Sequence, residues 1–420
     1  MIKIDIFLAL FFILLFLTSH MEPPPATNGP VIAGYFANWG IYDRKYNVVD
    51  VATQANKLTH ILYAFANVQP DGQVVLGDAY ADIEKHFPAN QAVNRKEDGW
   101  NDPGKNLYGN FKQFYLLKQQ HRHLKVSLSI GGYTWSTHFG AVARDPQKRR
   151  LFVDSSIKHL ANLGLDGLDI DWEYPKDDEE AFYYVHLLYE LRLALDRYQQ
   201  QCQQLNQSRL LLTVAVPCGP DHYRKLRLTE MQPYVDLFYL MAYDYAGSWD
   251  SVADHQAAVY GGRLNTEQAV QHYIACGIPP HKLVVGMPLY GRGFCNTAGP
   301  GHPFQGLPRG TWEEGQFDYK TLPKPGAVEY HDFDRLASWS YDPQAREFIT
   351  YDTPQMVAAK CNYIQQRRLG GAMFWELSAD CPQRSLVNAA YDGLGRRLDQ
   401  VPNHLDYPMS EYDNVRNGMK

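Results

Sequence analysis

Three acidic side chains recur at every second residue in one short segment of the sequence. Asp169, Asp171 and Glu173 lie within residues 167–174, and apolar or aromatic residues alternate with them. In a β-strand, the three carboxyl groups would share one face at spacings of about 6.5 Å. Burying them side by side costs several kcal/mol unless they share protons or accept hydrogen bonds. The pattern therefore indicates a catalytic array, and an exposed edge strand with acidic decoration is the structural alternative.

The order of the three acids suggests what each would do. Glu173 comes last and is nearest the carboxyl end of the strand, where it can reach a substrate. Burial and like-charged neighbours raise carboxyl pKa values, so Glu173 can stay protonated near neutral pH and act as a general acid. Asp171 lies between two acids and should titrate as part of a coupled set. A hydrolase usually needs a second carboxylate on the other side of the bond that it cleaves. The three acids on one face do not provide one, which favours a nucleophile supplied by the substrate.

The elements around this segment predict the fold class. Short apolar runs alternate with amphipathic helical patterns, of which residues 146–163, 179–202, 266–276 and 354–368 are examples. Eight buried strands alternating with helices are typical of a parallel α/β barrel, the (β/α)8 TIM barrel. An open doubly wound sheet is the rival, but the glycine-rich phosphate turn after its first strand is missing. The eight predicted strands are residues 31–39, 60–68, 125–132, 167–174, 210–217, 235–244, 282–291 and 370–377.

Segments outside this alternation define the domain organisation. Residues 1–20 contain an apolar run at 6–17, which predicts a signal peptide or an N-terminal anchor, and residues 21–30 read as a linker. The barrel is expected over residues 31–398 and a polar surface-wrapping tail over 399–420. We expect a secreted, extracellular protein; membrane anchoring by the first segment, or an intracellular protein that starts at Met21, are the alternatives. The mature chain should hold no stable membrane span.

One connection is too long for a simple helix. Residues 293–351 are rich in glycine, proline, aromatic and acidic residues. We expect residues 294–350 to form a small α+β insertion domain in the loop after strand 7. Loops of this kind lie at the carboxyl face of a barrel, where active sites form. The lobe would raise one wall of a cleft.

Composition excludes several other classes. The net charge is −6 and lysine and arginine form no basic stripe, which argues against a nucleic-acid partner. The six cysteines contain no CxxC pair, so a structural zinc site is not expected. Pairing of Cys361 with Cys381 is left open, as is glycosylation at the Asn206 sequon. No cofactor or metal is expected.

The acidic segment also carries a resemblance to a known family. Residues 166–175 (DGLDIDWEYP) match the DxxDxDxE signature of glycoside hydrolase family 18, the chitinases, and residues 31–397 resemble a fungal-type member. The resemblance implies a retaining, substrate-assisted hydrolysis of N-acetylglucosamine polymers, in chitin catabolism or cell-wall remodelling. Shorter matches lie at residues 34–46, 129–136, 241–245, 286–294 and 370–376.

The family's roles can be carried over to matching positions. The resemblance implies that Glu173 protonates the leaving oxygen and that Asp171 turns toward it, with Asp169 buffering the proton of Asp171. It implies that Tyr243 hydrogen-bonds the acetamido oxygen of the sugar, which Asp244 helps to position. The other implied substrate-binding residues are Tyr174, Met241, Ala242, Trp375, Tyr35, Trp135, Arg292, Gly104, Lys105, Gly131 and Gly132.

The sequence leaves two alternatives to a chitinase. A lectin on the same fold would bind sugars without cleaving them, although such relatives usually lose the terminal glutamate that this chain keeps as Glu173. An endo-β-N-acetylglucosaminidase acting on N-glycans would use the same acids but tends to lack the inserted lobe. We expect an endo-type chitinase that acts as a monomer on chitin or chitooligosaccharides. One departure from many relatives is Tyr133, where they carry tryptophan.

Overall fold

Eight parallel strands close into a barrel in this computed structural model, which describes residues 29–204 and 207–419. The first strand pairs with both the second and the last, so the sheet closes on itself and the predicted (β/α)8 barrel is confirmed. The predicted apolar segment at 6–17, Met21 and Asn206 lie outside the described residues. The barrel strands are β1 (Val31–Ala37), β2 (His60–Val68), β3 (Lys125–Gly131), β4 (Gly167–Asp171), β5 (Leu211–Pro217), β6 (Leu237–Met241), β7 (Leu283–Pro288) and β8 (Gly371–Trp375).

Helices cover the outside of the barrel. The four helices predicted from periodicity are confirmed to within two residues at each end. The α-helices are α1 (Val48–Ala52), α2 (Gly109–Gln120), α3 (Phe139–Arg144), α4 (Pro146–Leu163), α5 (Asp178–Gln201), α6 (Pro220–Tyr223), α7 (Leu228–Met231), α8 (Thr266–Ala275), α9 (Pro354–Gln366), α10 (Leu386–Gly393) and α11 (Asp413–Arg416). Shorter turns are the 3-10 segments Asn38–Ile41, Ala55–Lys57, Tyr133–Trp135, Pro280–Lys282, Tyr319–Thr321, Leu377–Ala379 and Pro382–Arg384, and the π-helical segment Tyr80–Glu84.

Local signals in the sequence set the ends of α4. Asp145 precedes the helix, and its carboxylate accepts hydrogen bonds from the backbone N–H groups of Gln147 and Lys148. Pro146 occupies the first helical position, where a missing N–H group costs nothing. Gly164 ends the helix with a φ of +69°, a left-handed conformation that glycine adopts without strain. The helix that supports β4 from outside is therefore bounded by its own sequence.

The alternation of β4 has the predicted orientation. Leu168, Ile170 and Trp172 are buried in the large core between the strands and the helices. Asp169 and Asp171 point to the opposite face, into the barrel, and are also buried. A second, smaller core inside the barrel contains residues such as Tyr239 and Met373. The acids therefore lie on the inner face of the sheet.

The segment after β7 forms an antiparallel sheet, so the prediction of an α+β lobe is wrong in its helical part. The only helical turn between residues 294 and 350 is the 3-10 segment Tyr319–Thr321. The lobe also begins earlier than predicted, since its first strand starts at Tyr290, two residues after β7. In spatial order its strands are Gln316–Asp318, Tyr290–Phe294, Glu347–Thr350, Ala337–Asp342 and Val328–Asp332. Two further pairs are Val252–Ala253 with His302–Pro303, and Val74–Leu76 with the end of β2.

The first part of the C-terminal segment, residues 399–404, packs against the amino ends of the barrel strands. Asp399 pairs with Lys125 Nζ at 3.1 Å, and the backbone N–H of His404 donates to Asp166 at 2.7 Å. The amide of Asn403 donates to three carbonyl groups around the end of α2, at distances of 2.7 to 3.1 Å. Residues 399–404 are therefore tied to the side of the barrel opposite the carboxyl ends of the strands, whereas Asp413 and Asn414 contact the loop that precedes α2.

The six cysteines are all unpaired, which corrects the possibility that Cys361 and Cys381 are linked. The Cys361 thiol is buried against the backbone of α10, whereas that of Cys381 lies beside Gln383. In residues 29–204 and 207–419, no helix is long and apolar enough to cross a membrane. The same residues contain no group of three or more histidine, cysteine or acidic side chains placed to hold a metal ion.

Candidate active site

Asp169 forms the lowest layer of the acidic array. Its carboxylate accepts hydrogen bonds from three hydroxyl groups, those of Ser129 at 2.7 Å, Thr213 at 2.7 Å and Tyr35 at 3.1 Å. These donors come from β3, β5 and β1, so the barrel surrounds the group. Burial raises the pKa of Asp169, and the three hydroxyl groups oppose that shift. Asp169 is thus a hydrogen-bonded acid that the solvent does not reach.

Asp171 lies one layer higher and is left incompletely bonded. It is 3% exposed, and its Oδ1 atom has no hydrogen-bond partner. Burial raises its pKa well above the usual value, and the carboxyl groups of Glu173 and Asp169 raise it further. Because an unpaired buried oxygen is unfavourable, this group has reason to hold a proton or to move toward a donor. Asp171 therefore links the buried acid below it to the exposed end of the array.

Glu173 lies just beyond the carboxyl end of β4 and lines the cleft described below. Its backbone N–H donates to the Ser136 hydroxyl at 2.8 Å, which fixes the start of the loop that follows the strand. Burial raises the pKa of its side chain to about 7, with a further upward contribution from the Asp244 carboxylate. The hydroxyl of Tyr174 opposes this shift. At this pKa the group can be protonated near neutral pH and can both donate and accept a proton.

Two glycines at the end of β3 let the chain approach the array closely. Gly131 has a φ of +113°, and a Cβ atom there would lie 2.3 Å from the carbonyl oxygen of Asp171. Gly132 has a φ of +80°, and its N–H donates to the same oxygen at 2.8 Å. A side chain at residue 131 would push the two strands apart. The glycine pair therefore sets the height of Asp171 in the barrel.

Asp244 follows β6 and is held by two donors from the lobe. The Tyr290 hydroxyl and the Arg292 Nε atom each donate to its Oδ1 atom at 2.6 Å. Arg292 also lies over the ring of Trp249, at 4.9 Å from its centroid. Beside this group, burial and the carboxyl groups of Asp171, Asp244 and Glu173 raise the pKa of Tyr243. Tyr243 therefore keeps its hydroxyl proton and can donate a hydrogen bond.

The array opens into a cleft of about 660 Å³ at the carboxyl face of the barrel. Trp375, at the end of β8, forms its floor and packs against Tyr35 and Phe65 at ring-centroid distances of 5.0 and 5.7 Å. A cleft of this size with apolar rings and a few convergent polar groups is typical of a ligand site. The predicted site residues that line it are Tyr35, Gly131, Gly132, Trp135, Asp171, Glu173, Tyr174, Met241, Tyr243, Asp244 and Trp375.

Five predicted site residues lie elsewhere. Asp169 is beneath the cleft and Ala242 is buried. Arg292 does not line the cleft but contacts Asp244 and the ring of Tyr290, which do. Gly104 and Lys105 are a correction, because the structure places them at the C-terminal segment and not among the cleft-lining residues. The Lys105 N–H donates to Asp413, and its Nζ pairs with Glu411 at 2.7 Å. The two residues lie in the loop that precedes α2.

The sequence reasoning did not identify several lining residues. Phe65 lies within a predicted strand, but the register of β2 shifts between Ala64 and Ala66, which places two neighbouring residues in the inner core. Simple alternation cannot reveal such a bulge. The others lie in turns, loops or the short helix α6, or at strand ends, where the sequence pattern gives no sign of which side chains face the cleft. They are Trp39, Tyr133, Thr134, Pro217, Cys218, Gly219, His222, Tyr245, Leu264 and Tyr290.

Comparisons with known proteins agree with this geometry. The family model described as glycosyl hydrolases family 18 matches residues 31–380. Chitinase 1 of Aphanocladium album is 45% identical over 395 residues, which cover 92% of this chain and 90% of the relative. Endochitinase 1 of Metarhizium robertsii is 44% identical over 399 residues, which cover 93% of this chain and 91% of the relative.

Solved structures of chitinases are also similar to this chain. The catalytic domain of the psychrophilic chitinase B from Arthrobacter TAD20 is similar with a TM-score of 0.81 and 29% identity, over 91% of this chain and 99% of that one. A class V chitinase from Nicotiana tobaccum in complex with NAG4 is similar with a TM-score of 0.74 and 25% identity. The similarity covers 87% of this chain and 99% of that one. The acid array at the carboxyl end of β4, the family match over most of the barrel and these similarities lead to one assignment. The chain belongs to glycosyl hydrolases family 18 and is a glycoside hydrolase.

Proposed function

We propose that this glycoside hydrolase is an endo-type chitinase that cleaves β-1,4 bonds between N-acetylglucosamine units with retention of configuration. The observation that carries the proposal is Glu173, a carboxyl group with a pKa of about 7 at the mouth of the barrel, directly above the buried Asp171. The names of the relatives support chitin as the substrate, since they are called chitinase or endochitinase.

In the first step, protonated Glu173 gives its proton to the glycosidic oxygen as the bond to the anomeric carbon breaks. The carbonyl oxygen of the 2-acetamido group on the same sugar forms the new bond to that carbon, which produces an oxazolinium ion. Ionised Glu173 then takes a proton from water, and the water oxygen opens the oxazolinium ring from the face that the leaving group vacated. The glutamate regains its proton, and the two inversions give net retention.

Nucleophilic attack by the substrate is supported by the state of the other carboxyl groups. Asp171, Glu173 and Asp244 are the acids among the described cleft-lining residues. The Oδ1 atom of Asp244 accepts two hydrogen bonds from Tyr290 and Arg292, which hold the group in place. Asp171 is 3% exposed. Since Asp171 is buried and Asp244 is anchored to the lobe, we assign the nucleophile to the acetamido group of the bound sugar.

Asp171 has a second role in this scheme. When the acetamido nitrogen gains positive character in the oxazolinium ion, a carboxylate beside its N–H stabilises the charge. The Oδ1 atom of Asp171 is buried and unpaired, so the side chain would make that hydrogen bond by turning toward the bound sugar. Tyr243, whose raised pKa keeps its proton in place, would donate to the acetamido oxygen and hold it toward the anomeric carbon.

The test is a hydrolysis assay on a defined N-acetylglucosamine hexamer, with products separated by length and anomer. Glu173→Gln keeps the shape of the side chain but removes the acid, so kcat should fall by about 10² to 10⁴-fold. The matched control is Glu179→Gln on the outer surface of α5, where the side chain is 57% exposed and pairs only with Arg144. Equal activity of Glu173→Gln and the wild type, inverted products, or binding without turnover by the wild type would each refute the proposal.

A further inference from the structure

A second pocket adjoins the cleft where the inserted lobe meets the barrel. It has a volume of about 260 Å³ and is formed by the loop between β6 and α8 together with Arg335 from the lobe. Tyr245 and Leu264 line both this pocket and the catalytic cleft. No step of the proposed reaction uses it. We call it the junction pocket.

The charged groups of the junction pocket are arranged as two opposite pairs. Arg263 Nη2 lies 3.2 Å from Asp250 Oδ1, and Arg335 Nη1 lies 3.8 Å from Asp254 Oδ1. The pairs cancel, so the pocket has no net charge to attract an anion or a cation. Each carboxylate keeps lone pairs and each guanidinium keeps N–H groups that its partner does not use. Such a mixture of donors and acceptors suits a neutral ligand with many hydroxyl groups.

Two glycines with left-handed backbone conformations form the turn beside these charged groups. Gly261 and Gly262 have φ values of +72° and +69°, which favour glycine. Cβ atoms at these positions would lie 3.4 Å from the Arg335 Nε atom and 3.7 Å from Asp254 Oδ2, respectively. The backbone oxygen of Arg335 also accepts two hydrogen bonds from the loop, one of them from Tyr260 at 3.0 Å. The lobe and the loop are thus held together around the pocket.

A histidine forms the inner wall of the junction pocket. His255 is 6% exposed, packs against Trp339 of the lobe at a centroid distance of 5.0 Å, and has an Nδ1 atom without a hydrogen-bond partner. Burial lowers its pKa, and the charge of Arg335 acts in the same direction, whereas Asp254 and Asp332 raise it. The ring is therefore neutral at neutral pH and adds no charge to the two balanced pairs.

From the size, the balanced charges and the shared wall we infer that the junction pocket is a binding site for one neutral N-acetylhexosamine unit, outside the catalytic cleft. Its volume is just under the roughly 300 Å³ at which small-molecule pockets begin, which leaves room for one sugar ring and excludes an oligomer. The identity of the sugar rests on the proposed function. The unit would be either a free monosaccharide or the end of a chain whose other units lie in the cleft.

Titration calorimetry on the full chain carrying Glu173→Gln tests the inference, because this background should bind oligosaccharides without cleaving them. One arm adds free N-acetylglucosamine after the cleft has been saturated with the trimer. The other arm compares the affinities for the hexamer and the trimer. Arg263→Ala removes a side chain that is 67% exposed, and Ser251→Trp fills the exposed side of the pocket without changing its charge. Arg397→Ala, an exposed arginine outside the pocket and the cleft, is the control.

In one of the two arms, we expect both pocket variants to bind the sugar about tenfold more weakly than the control. This is the effect of losing a hydrogen bond to a charged group. Weaker binding of the free monosaccharide identifies a free sugar as the ligand, and weaker binding of the hexamer but not the trimer identifies the end of a chain. If both variants bind like the control in both arms, the inference is refuted. Hydrolysis of the hexamer by the same pocket variants with Glu173 intact would then show that the proposed function survives.

Discussion

Removing the hydroxyl group of Tyr174 should make the enzyme more active at alkaline pH relative to its activity in acid. This hydroxyl interacts with the Glu173 carboxylate and lowers its pKa, which is nevertheless about 7 because of burial. In Tyr174→Phe the ionised form of Glu173 loses this stabilisation. A hydrogen bond to a charged group contributes about 1.5–3 kcal/mol, and one pKa unit corresponds to about 1.4 kcal/mol. Since water will replace part of the interaction, we expect an upward shift of about one unit.

The consequence can be followed through the pH dependence of kcat/KM. The general acid must be protonated, so kcat/KM falls as the pH rises through the pKa of Glu173 in the free enzyme. With a pKa of about 7, roughly a tenth of the molecules are protonated at pH 8; with a pKa of about 8, roughly half are. The ratio of kcat/KM at pH 8 to that at pH 6 should therefore rise about fivefold in Tyr174→Phe, whatever the change in the maximum rate.

Tyr133→Phe is the matched control for this experiment. Its ring also lines the cleft but is 84% exposed, and Tyr133 affects Glu173 through a backbone hydrogen bond that the substitution keeps. The fall of kcat/KM at alkaline pH should occur at the same pH in this variant as in the wild type. The claim that the Tyr174 hydroxyl lowers the pKa of Glu173 would be refuted by two results. One is an alkaline pKa of kcat/KM that is unchanged or lower in Tyr174→Phe, and the other is an equal shift of this pKa in both variants.

Three further substitutions test how the framework holds the site. Asn403→Ala removes the amide that bonds three carbonyl groups near the end of α2, and should lower the free energy of unfolding in urea by about 2 kcal/mol; a loss under about 0.5 kcal/mol would contradict this. Lys360→Met leaves Asp352 buried and unpaired and should lose about 3–5 kcal/mol in the same assay, whereas the double variant with Asp352→Asn should recover part of the loss. Gly131→Ala should reduce hexamer hydrolysis at least about tenfold, since its Cβ would meet the backbone of Asp171, and wild-type activity would refute the role of the glycine.

The sequence was most informative where one periodic pattern had one physical explanation. The alternation in residues 167–174 predicted both the inward acids and the outward Leu168, Ile170 and Trp172, because a strand with one face toward helices must bury its apolar side chains there. The same reasoning failed at Phe65, where a bulge breaks the alternation. Periodicity also could not show that the inserted lobe is an antiparallel sheet, since its short strands are separated by irregular turns.

Contacts between distant segments were beyond the reach of sequence reasoning. Lys105 was expected at the cleft, but its backbone N–H bonds Asp413, more than three hundred residues away. No local pattern in either segment records that contact. The positions of cleft-lining residues in loops and short helices, such as His222 in α6, could not be predicted either, because they depend on how separate segments meet at the carboxyl face. Short motifs placed the acids, but only the fold shows which loops surround them.

The lobe was predicted as a wall of the cleft, and its contacts give it a more direct part in the reaction. Its first strand begins at Tyr290, immediately after β7, and the two groups that fix Asp244 are Tyr290 and Arg292 from that strand. Asp244 adopts a positive φ of +59°, a conformation that non-glycine residues rarely adopt and that needs such support. Under the proposed function, changes in the lobe would alter how Asp244 helps to position the acetamido group. Because the Asp244 carboxylate also raises the pKa of Glu173, they would change the proton donor as well, although its place at the end of β4 stays the same. A substitution at Tyr290 or Arg292 should therefore change substrate positioning and, through Asp244, shift the pH dependence that Glu173 sets.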